Sequence, residues 1–134
     1  MGIQITKDSI DLGLITLDAE PMLKFYRDTL GLTPDGEMAM PGGGQMTRLA
    51  CGTTTIKIVV NGKTPRATAA PGGIGSATGY RYFTISVSNL KEVTEVCREA
   101  GYKIAVPATE IRAGITISMI EDPDGNWVEL LQMG

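Results

Sequence analysis

The chain contains no histidine. That removes the commonest transition-metal ligand and the commonest general base together. Aromatic residues make up only 5% of it, which leaves little surface for stacking flat, drug-like molecules. The two cysteines, Cys51 and Cys97, lie far apart in the apolar contexts Leu49-Ala50-Cys51 and Val96-Cys97. This excludes a short-spaced metal or redox pair, and both read as buried free thiols. The net charge is -3 and no basic stripe with interleaved aromatics is present, so nucleic acid is excluded as a partner. No apolar run is long enough to span a bilayer, and the start lacks the charged-then-apolar pattern of a signal peptide. The expectation is a cytoplasmic protein with no membrane partner.

What the chain does have is a repeat, offset by about 71 residues. Asp11-Leu12-Gly13-Leu14-Ile15-Thr16-Leu17-Asp18 leads into a helix-like run ending at Gly31. Tyr82-Phe83-Thr84-Ile85-Ser86-Val87-Ser88-Asn89 leads into another, ending at Gly101. The segment from Gly52 through Ile56 to Val59 likewise resembles the segment from Gly125 through Val128 to Leu131. A repeat of this length is a supersecondary unit. Its apolar face needs the other unit or a second chain to cover it.

Each repeat reads as βαβββ. In the first, strands are expected over 10–17, 32–40, 46–51 and 54–60. A helix starts at the N-cap Asp18, tolerates Pro21 in its first turn and carries Met22, Phe25, Tyr26 and Leu30 at helical spacing. In the second, strands are expected over 80–87, 102–106, 114–120 and 127–132. Asn89 caps a helix there, with Glu92 in the capping-box position and Leu90, Val93, Val96, Cys97 and Ala100 as the apolar stripe. Asp122-Pro123-Asp124-Gly125-Asn126 is a turn in which Pro presets φ and Gly supplies a positive one. With 134 residues, 43% of them hydrophobic, the chain is expected to be one domain. Its first repeat covers about 8–60, its linker about 61–78 and its second repeat about 79–133. The linker is Gly-, Pro-, Ala- and Thr-rich without a period, as in a mobile connection or a lid. Gly72-Gly73-Ile74-Gly75 within it opens no helix, so a phosphate-cradling role fails on context.

Two motifs point to a family. Leu23-Lys24-Phe25-Tyr26-Arg27-Asp28-Thr29-Leu30-Gly31-Leu32 and Glu121-Asp122-Pro123-Asp124-Gly125-Asn126, with Val128-Glu129-Leu130 after the latter, resemble the signature stretches of the vicinal oxygen chelate superfamily. That group includes glyoxalase I, bleomycin-resistance proteins and extradiol dioxygenases. The resemblance runs from about Ile10 to Gln132 and implies an α+β fold. Two βαβββ repeats would form a half-open β-barrel around a cavity, helices outside, in a homodimer. It also implies four site positions, which fall here on Asp11, Lys57, Tyr82 and Glu129.

Strand alternation supports those four. Lys57 opposes Ile56 and Ile58, Glu129 opposes Val128 and Leu130, Asp11 opposes Leu12 and Leu14, and Tyr82 opposes Phe83 and Ile85. Metal-dependent relatives would use His or Gln with carboxylates at such positions. Here one position is an ammonium, which has no lone pair and repels a cation. No metal or other cofactor is therefore expected, and an oxygen-ligated divalent cation on Asp11 and Glu129 is the lesser alternative.

Lys57 would instead neutralise the two carboxylates. Beyond that structural role it would stabilise an oxyanion, with Asp11 or Glu129 as base and Tyr82 as hydrogen-bond donor. Tyr80 and Trp127 share the parity of Tyr82 and Glu129. With Met46 and Arg48 they are the candidate substrate-binding residues, although a solvent-facing Arg48 is the plainer reading. The expected function is a glyoxalase-like lyase or isomerase acting on a small oxygenated molecule. The alternative is a small-molecule sequestering protein of the bleomycin-resistance type with no catalysis.

Overall fold

A computed structural model describes all residues, 1–134. Two compact units divide it, Met1–Arg66 and Ala67–Gly134, with the boundary inside the stretch read as a linker.

The first unit runs β1 (Leu12–Ile15), α1 (Ala19–Leu23), a π-helical continuation (Lys24–Thr29), β2 (Thr33–Ala39), β3 (Gly44–Cys51) and β4 (Thr54–Asn61). Its sheet order is β1-β4-β3-β2, with β1 parallel to β4 and the other pairs antiparallel. The second unit runs β5 (Tyr82–Ser86), α2 (Leu90–Glu99), β6 (Ile104–Arg112), β7 (Ile115–Glu121) and β8 (Trp127–Met133). Its order, β5-β8-β7-β6, is the same arrangement. Each unit is thus an open four-stranded sheet carrying one helix. The repeat extends to the register: Leu12 faces Ile56 in the first unit and Phe83 faces Val128 in the second.

Alternation decides which side chains the helices cover. In β4, Ile56 and Ile58 are buried and Lys57 is half-buried. In β8, Val128 and Leu130 are buried and Glu129 is half-buried. Met22, Phe25 and Tyr26 are fully buried in the first unit, and the two rings meet edge to face at 4.7 Å between centroids. Each such side chain contributes about 1.5–3 kcal/mol by leaving water. The N-cap reading holds: Asp18 Oδ1 accepts the Glu20 N–H at 3.2 Å. The helix then widens. Leu30 N–H reaches back five residues to the Phe25 carbonyl, and the Thr29 hydroxyl donates to the Lys24 carbonyl. Gly31 ends it at φ 80°, a conformation that costs glycine little.

Two expectations for α2 are corrected. Asn89 makes no side-chain cap hydrogen bond. The Leu90 N–H is taken instead by Gln132 Oε1 of β8 at 2.9 Å, so a strand side chain caps the helix in place of the preceding residue. The buried stripe is Leu90, Thr94 and Cys97, whereas Val96 is exposed. Positions four and seven beyond Leu90 lie on its face and position six does not. The Thr94 hydroxyl is satisfied there by the Leu90 carbonyl and by Ser118 Oγ.

The turn before β8 forms as its residues dictate. Asp122 is buried and its Oδ1 accepts the N–H groups of Asp124 and Asn126 at 2.9 Å, while Oδ2 accepts from Asn126 Nδ2. Gly125 has φ 88°. No helix is long and apolar enough to cross a membrane.

Candidate functional site

In each unit one face of the sheet carries no helix, and the chemistry-bearing side chains stand there. In the first unit this face holds Lys57, with Arg48 and Gly13 as its register neighbours, and Met46 beside Val59. Asp11 lies just before β1, opposite the start of β4. Its Oδ1 accepts both the Lys7 ammonium at 2.7 Å and the Thr55 N–H at 2.9 Å. The partner expected for Asp11 was Lys57, but the ion pair is with Lys7, from the segment ahead of the strand. The Lys7 hydrogen bond, then the Thr55 N–H, hold the Asp11 carboxyl below the usual carboxylate range, and Lys57 adds only a longer-range pull in the same direction. A carboxylate so occupied is a poor proton acceptor near neutrality.

Lys57 makes no ion pair at all. Arg48 is half-buried and weakly paired with Asp35, at 3.7 Å, so it is not simply a solvent-facing side chain. Met46 faces Met38 across β2 and β3.

In the second unit the helix-free face holds Tyr82, Thr84, Trp127 and Glu129. Tyr82 pairs with Trp127 and Thr84 with Glu129. The Thr84 hydroxyl donates to Glu129 Oε1 at 2.7 Å. Glu129 enters no ion pair, so a single neutral donor orients it. Tyr82 is half exposed, one pleat along the same face. The indole of Trp127 donates from Nε1 to Glu121 Oε1 at 3.2 Å. Tyr80 does not belong to this set. β5 begins at Tyr82, so strand alternation does not reach Tyr80, and its side chain is fully exposed.

Three residues at these positions escaped the sequence reading: Lys7, Thr84 and Arg81. Thr84 could have been found, since it occupies in the second repeat the place that Gly13 holds in the first. Lys7 lies outside any regular element. Arg81 takes its role from a loop that has no periodicity to read. A pocket of about 320 Å³ also lies at the start of α2, lined by Ser88, Asn89, Lys91, Thr116 and Gln132 among others. It is at the helix end, away from the helix-free face.

The family that the two sequence motifs resemble includes metal enzymes, so the donor set matters. No group of three or more His, Cys, Asp or Glu side chains is placed to hold a metal ion. The four family positions offer two carboxylates, a phenol and an ammonium, and Asp11 already spends its Oδ1 on Lys7 and Thr55. This set does not fit a transition-metal centre.

The family model described as the Glyoxalase/Bleomycin resistance protein/Dioxygenase superfamily matches residues 9–130, and the chain belongs to that superfamily. Two curated relatives, the lactoylglutathione lyases of Escherichia coli O157:H7 and Shigella flexneri, are each 36% identical to it over 56 residues. The match spans 41% of this chain and 42% of each relative, less than half of either protein. Among solved structures, a glyoxalase family protein from Bacillus cereus aligns with a TM-score of 0.83 at 12% identity, covering 98% of this chain and 96% of that one. A glyoxalase I variant from Zea mays aligns with a TM-score of 0.72 at 20% identity, covering 90% of this chain and 43% of that one. At these identities the structural likeness speaks to the fold alone.

Proposed function

We propose that the protein is a glyoxalase-like lyase or isomerase that acts on a small oxygenated molecule by acid–base and electrostatic catalysis, without a transition metal. The observation that carries this reading is Glu129: a half-buried carboxylate, free of any cation, aimed by one hydroxyl on a face that also bears a phenol. In this reading Glu129 removes a proton from a carbon next to a carbonyl. Tyr82 donates a hydrogen bond to the oxygen on which charge develops. Asp11, committed to Lys7 and the Thr55 amide, is given a structural part instead. Lys57, which has no counter-ion, keeps the electrostatic part that the family resemblance implies for its position. An α-hydroxy thioester is the substrate class to try first, since S-lactoylglutathione gives the partial relatives their name.

The test is interconversion of S-lactoylglutathione with its isomeric α-keto hemithioacetal, read as gain of thioester absorbance because the thioester is the stable side, followed by a panel of α-hydroxy carbonyl compounds, in protein stripped of metals with chelator. Turnover that survives the chelator and falls at least about a hundredfold in Glu129→Gln, the low end for loss of a general base, is expected. Lys57→Met is expected to lose turnover while still binding ligand. Full activity in Glu129→Gln sinks the assignment of the base. Ligand binding without turnover anywhere in the panel moves the protein to the sequestering class. A homodimer, as the family resemblance implies, belongs to the same reading, and sedimentation equilibrium tests it.

A further inference from the structure

Residues 70–76 are fastened over Trp127 by one side chain. Arg81 donates from Nε to the Gly73 carbonyl at 2.9 Å, and from Nη2 to the Ala70 carbonyl at 2.6 Å and to Ser76 Oγ at 2.8 Å. Ser76 closes the turn by donating its hydroxyl to the Gly73 carbonyl at 3.2 Å. The short 3-10 turn Gly73–Gly75 that results sets the Gly73 backbone directly on the indole. A Cβ at Gly73 would lie 2.1 Å from the Trp127 ring, and φ there is 60°. Only glycine fits, on two independent grounds: space and backbone conformation.

The segment has little else to hold it. Gly73 is the only buried residue from Ala67 to Ser76, and its largest apolar side chain, Ile74, is 55% exposed. Burial of side chains therefore does not keep it closed. The guanidinium does, through neutral acceptors only, because Arg81 forms no ion pair. These bonds are charge-assisted and stronger than neutral ones, yet almost no side-chain burial backs them, so the segment can open locally without the sheet beneath it.

We propose that residues 70–76 are a removable cover over Trp127 and that Arg81 is the positioning residue that closes it. Lifting the cover bares the indole beside Tyr82, its partner in the β5–β8 ladder. It thereby admits ligand to the aromatic end of the helix-free face that also carries Glu129. The cover stands apart from the catalytic reading, since a protein that only binds its ligand would use it equally.

Trp127 is the only tryptophan in the chain, so its emission reports the cover without interference. Steady-state emission and acrylamide quenching are measured on the intact protein, Arg81→Ala, Arg81→Lys and Gly73→Ala, with far-UV circular dichroism as a check of folding. Arg81→Ala and Gly73→Ala are expected to shift emission to longer wavelength and steepen quenching. Arg81→Lys, which keeps a donor, is expected to fall between them and wild type. Folded variants with wild-type emission and quenching overturn the proposal. If both variants fail to fold, amide hydrogen exchange of the wild-type chain decides. Exchange in 73–76 well ahead of β8 supports a cover that opens locally, and protection equal to that of β8 overturns it.

Discussion

The Thr84 hydroxyl points its proton at Glu129 Oε1, 2.7 Å away across the parallel β5–β8 ladder. The equivalent ladder in the first repeat puts Gly13 opposite Lys57. One repeat thus steers its charged group across the parallel ladder, while the other offers Lys57 no side chain across that ladder and a like-charged Arg48 on the far side. Thr84→Val keeps the shape and removes the donor. On a substrate found by the screen above, it is expected to lower kcat more than it raises KM, because an aimed base matters most in the transition state. Equal kcat in the two proteins would show that Glu129 needs no steering.

Lys7 and Asp11 form the pair that fastens the chain ahead of β1. The Asp11 carboxyl is held below its ordinary value, so its contribution to stability is full above that value and is lost as pH falls through the depressed one. In Lys7→Met the principal cause disappears, and the Asp11 midpoint is expected to move up toward the ordinary carboxylate range. Carboxyl-carbon NMR titration reads this directly. An unchanged midpoint would assign the depression to the Thr55 amide. Both groups are substantially exposed, so the change in stability itself is expected to be small.

Thr94 and Ser118 share a hydrogen bond of 2.8 Å between a helix and a strand, both fully out of water. Thr94→Val strands the Ser118 hydroxyl and is expected to cost about 1–3 kcal/mol. The double variant Thr94→Val with Ser118→Ala removes both polar groups and is expected to recover part of that loss. Thermal unfolding of the four proteins closes the cycle. Strict additivity would mean that the two hydroxyls do not depend on each other.

Burial pushes the Cys97 thiol up to about 11 from an ordinary 9.0. The folded protein therefore keeps a proton that the unfolded chain gives up between those two values, and stability from this site falls as pH rises through that window. Cys97→Ala is expected to flatten the alkaline limb of a denaturant-midpoint profile. Labelling with a thiol reagent at mild alkaline pH is expected to reach Cys51, which is only partly buried, well before Cys97. Simultaneous labelling would contradict this picture of the helix interface.

Much of this was readable beforehand, and the reasons are physical. Strand alternation around Ile56-Lys57-Ile58 and Val128-Glu129-Leu130 leaves the charged residue one face only, so its direction follows from period alone. The Asp122 turn carries its own hydrogen-bonding chemistry in five consecutive residues. The matching topology of the two units follows from the repeat. What was not readable depends on groups distant in sequence. Gln132 caps α2 from another strand. Thr94 outcompetes Val96 for the interface because angular position around the helix outweighs hydrophobicity. Lys7 takes Asp11 because the irregular segment ahead of β1, which carries no period to read, brings its ammonium within 2.7 Å. Arg81 draws together a loop whose own residues give no periodic signal.

The π-helical turn at Lys24–Thr29 has a consequence for how the halves of this chain can diverge. From Asp18 to Gly31 the first helical segment is one residue longer than its counterpart from Asn89 to Gly101. A wide turn absorbs one additional residue without altering where the chain leaves the helix, so both segments end on a glycine directly after the C-cap residue. Within the helical segment the length difference is thereby taken up in a single coil, and the parallel pairing of β1 with β4 and of β5 with β8 keeps its register. The helix is one place in the duplicate where an insertion can arrive without being transmitted.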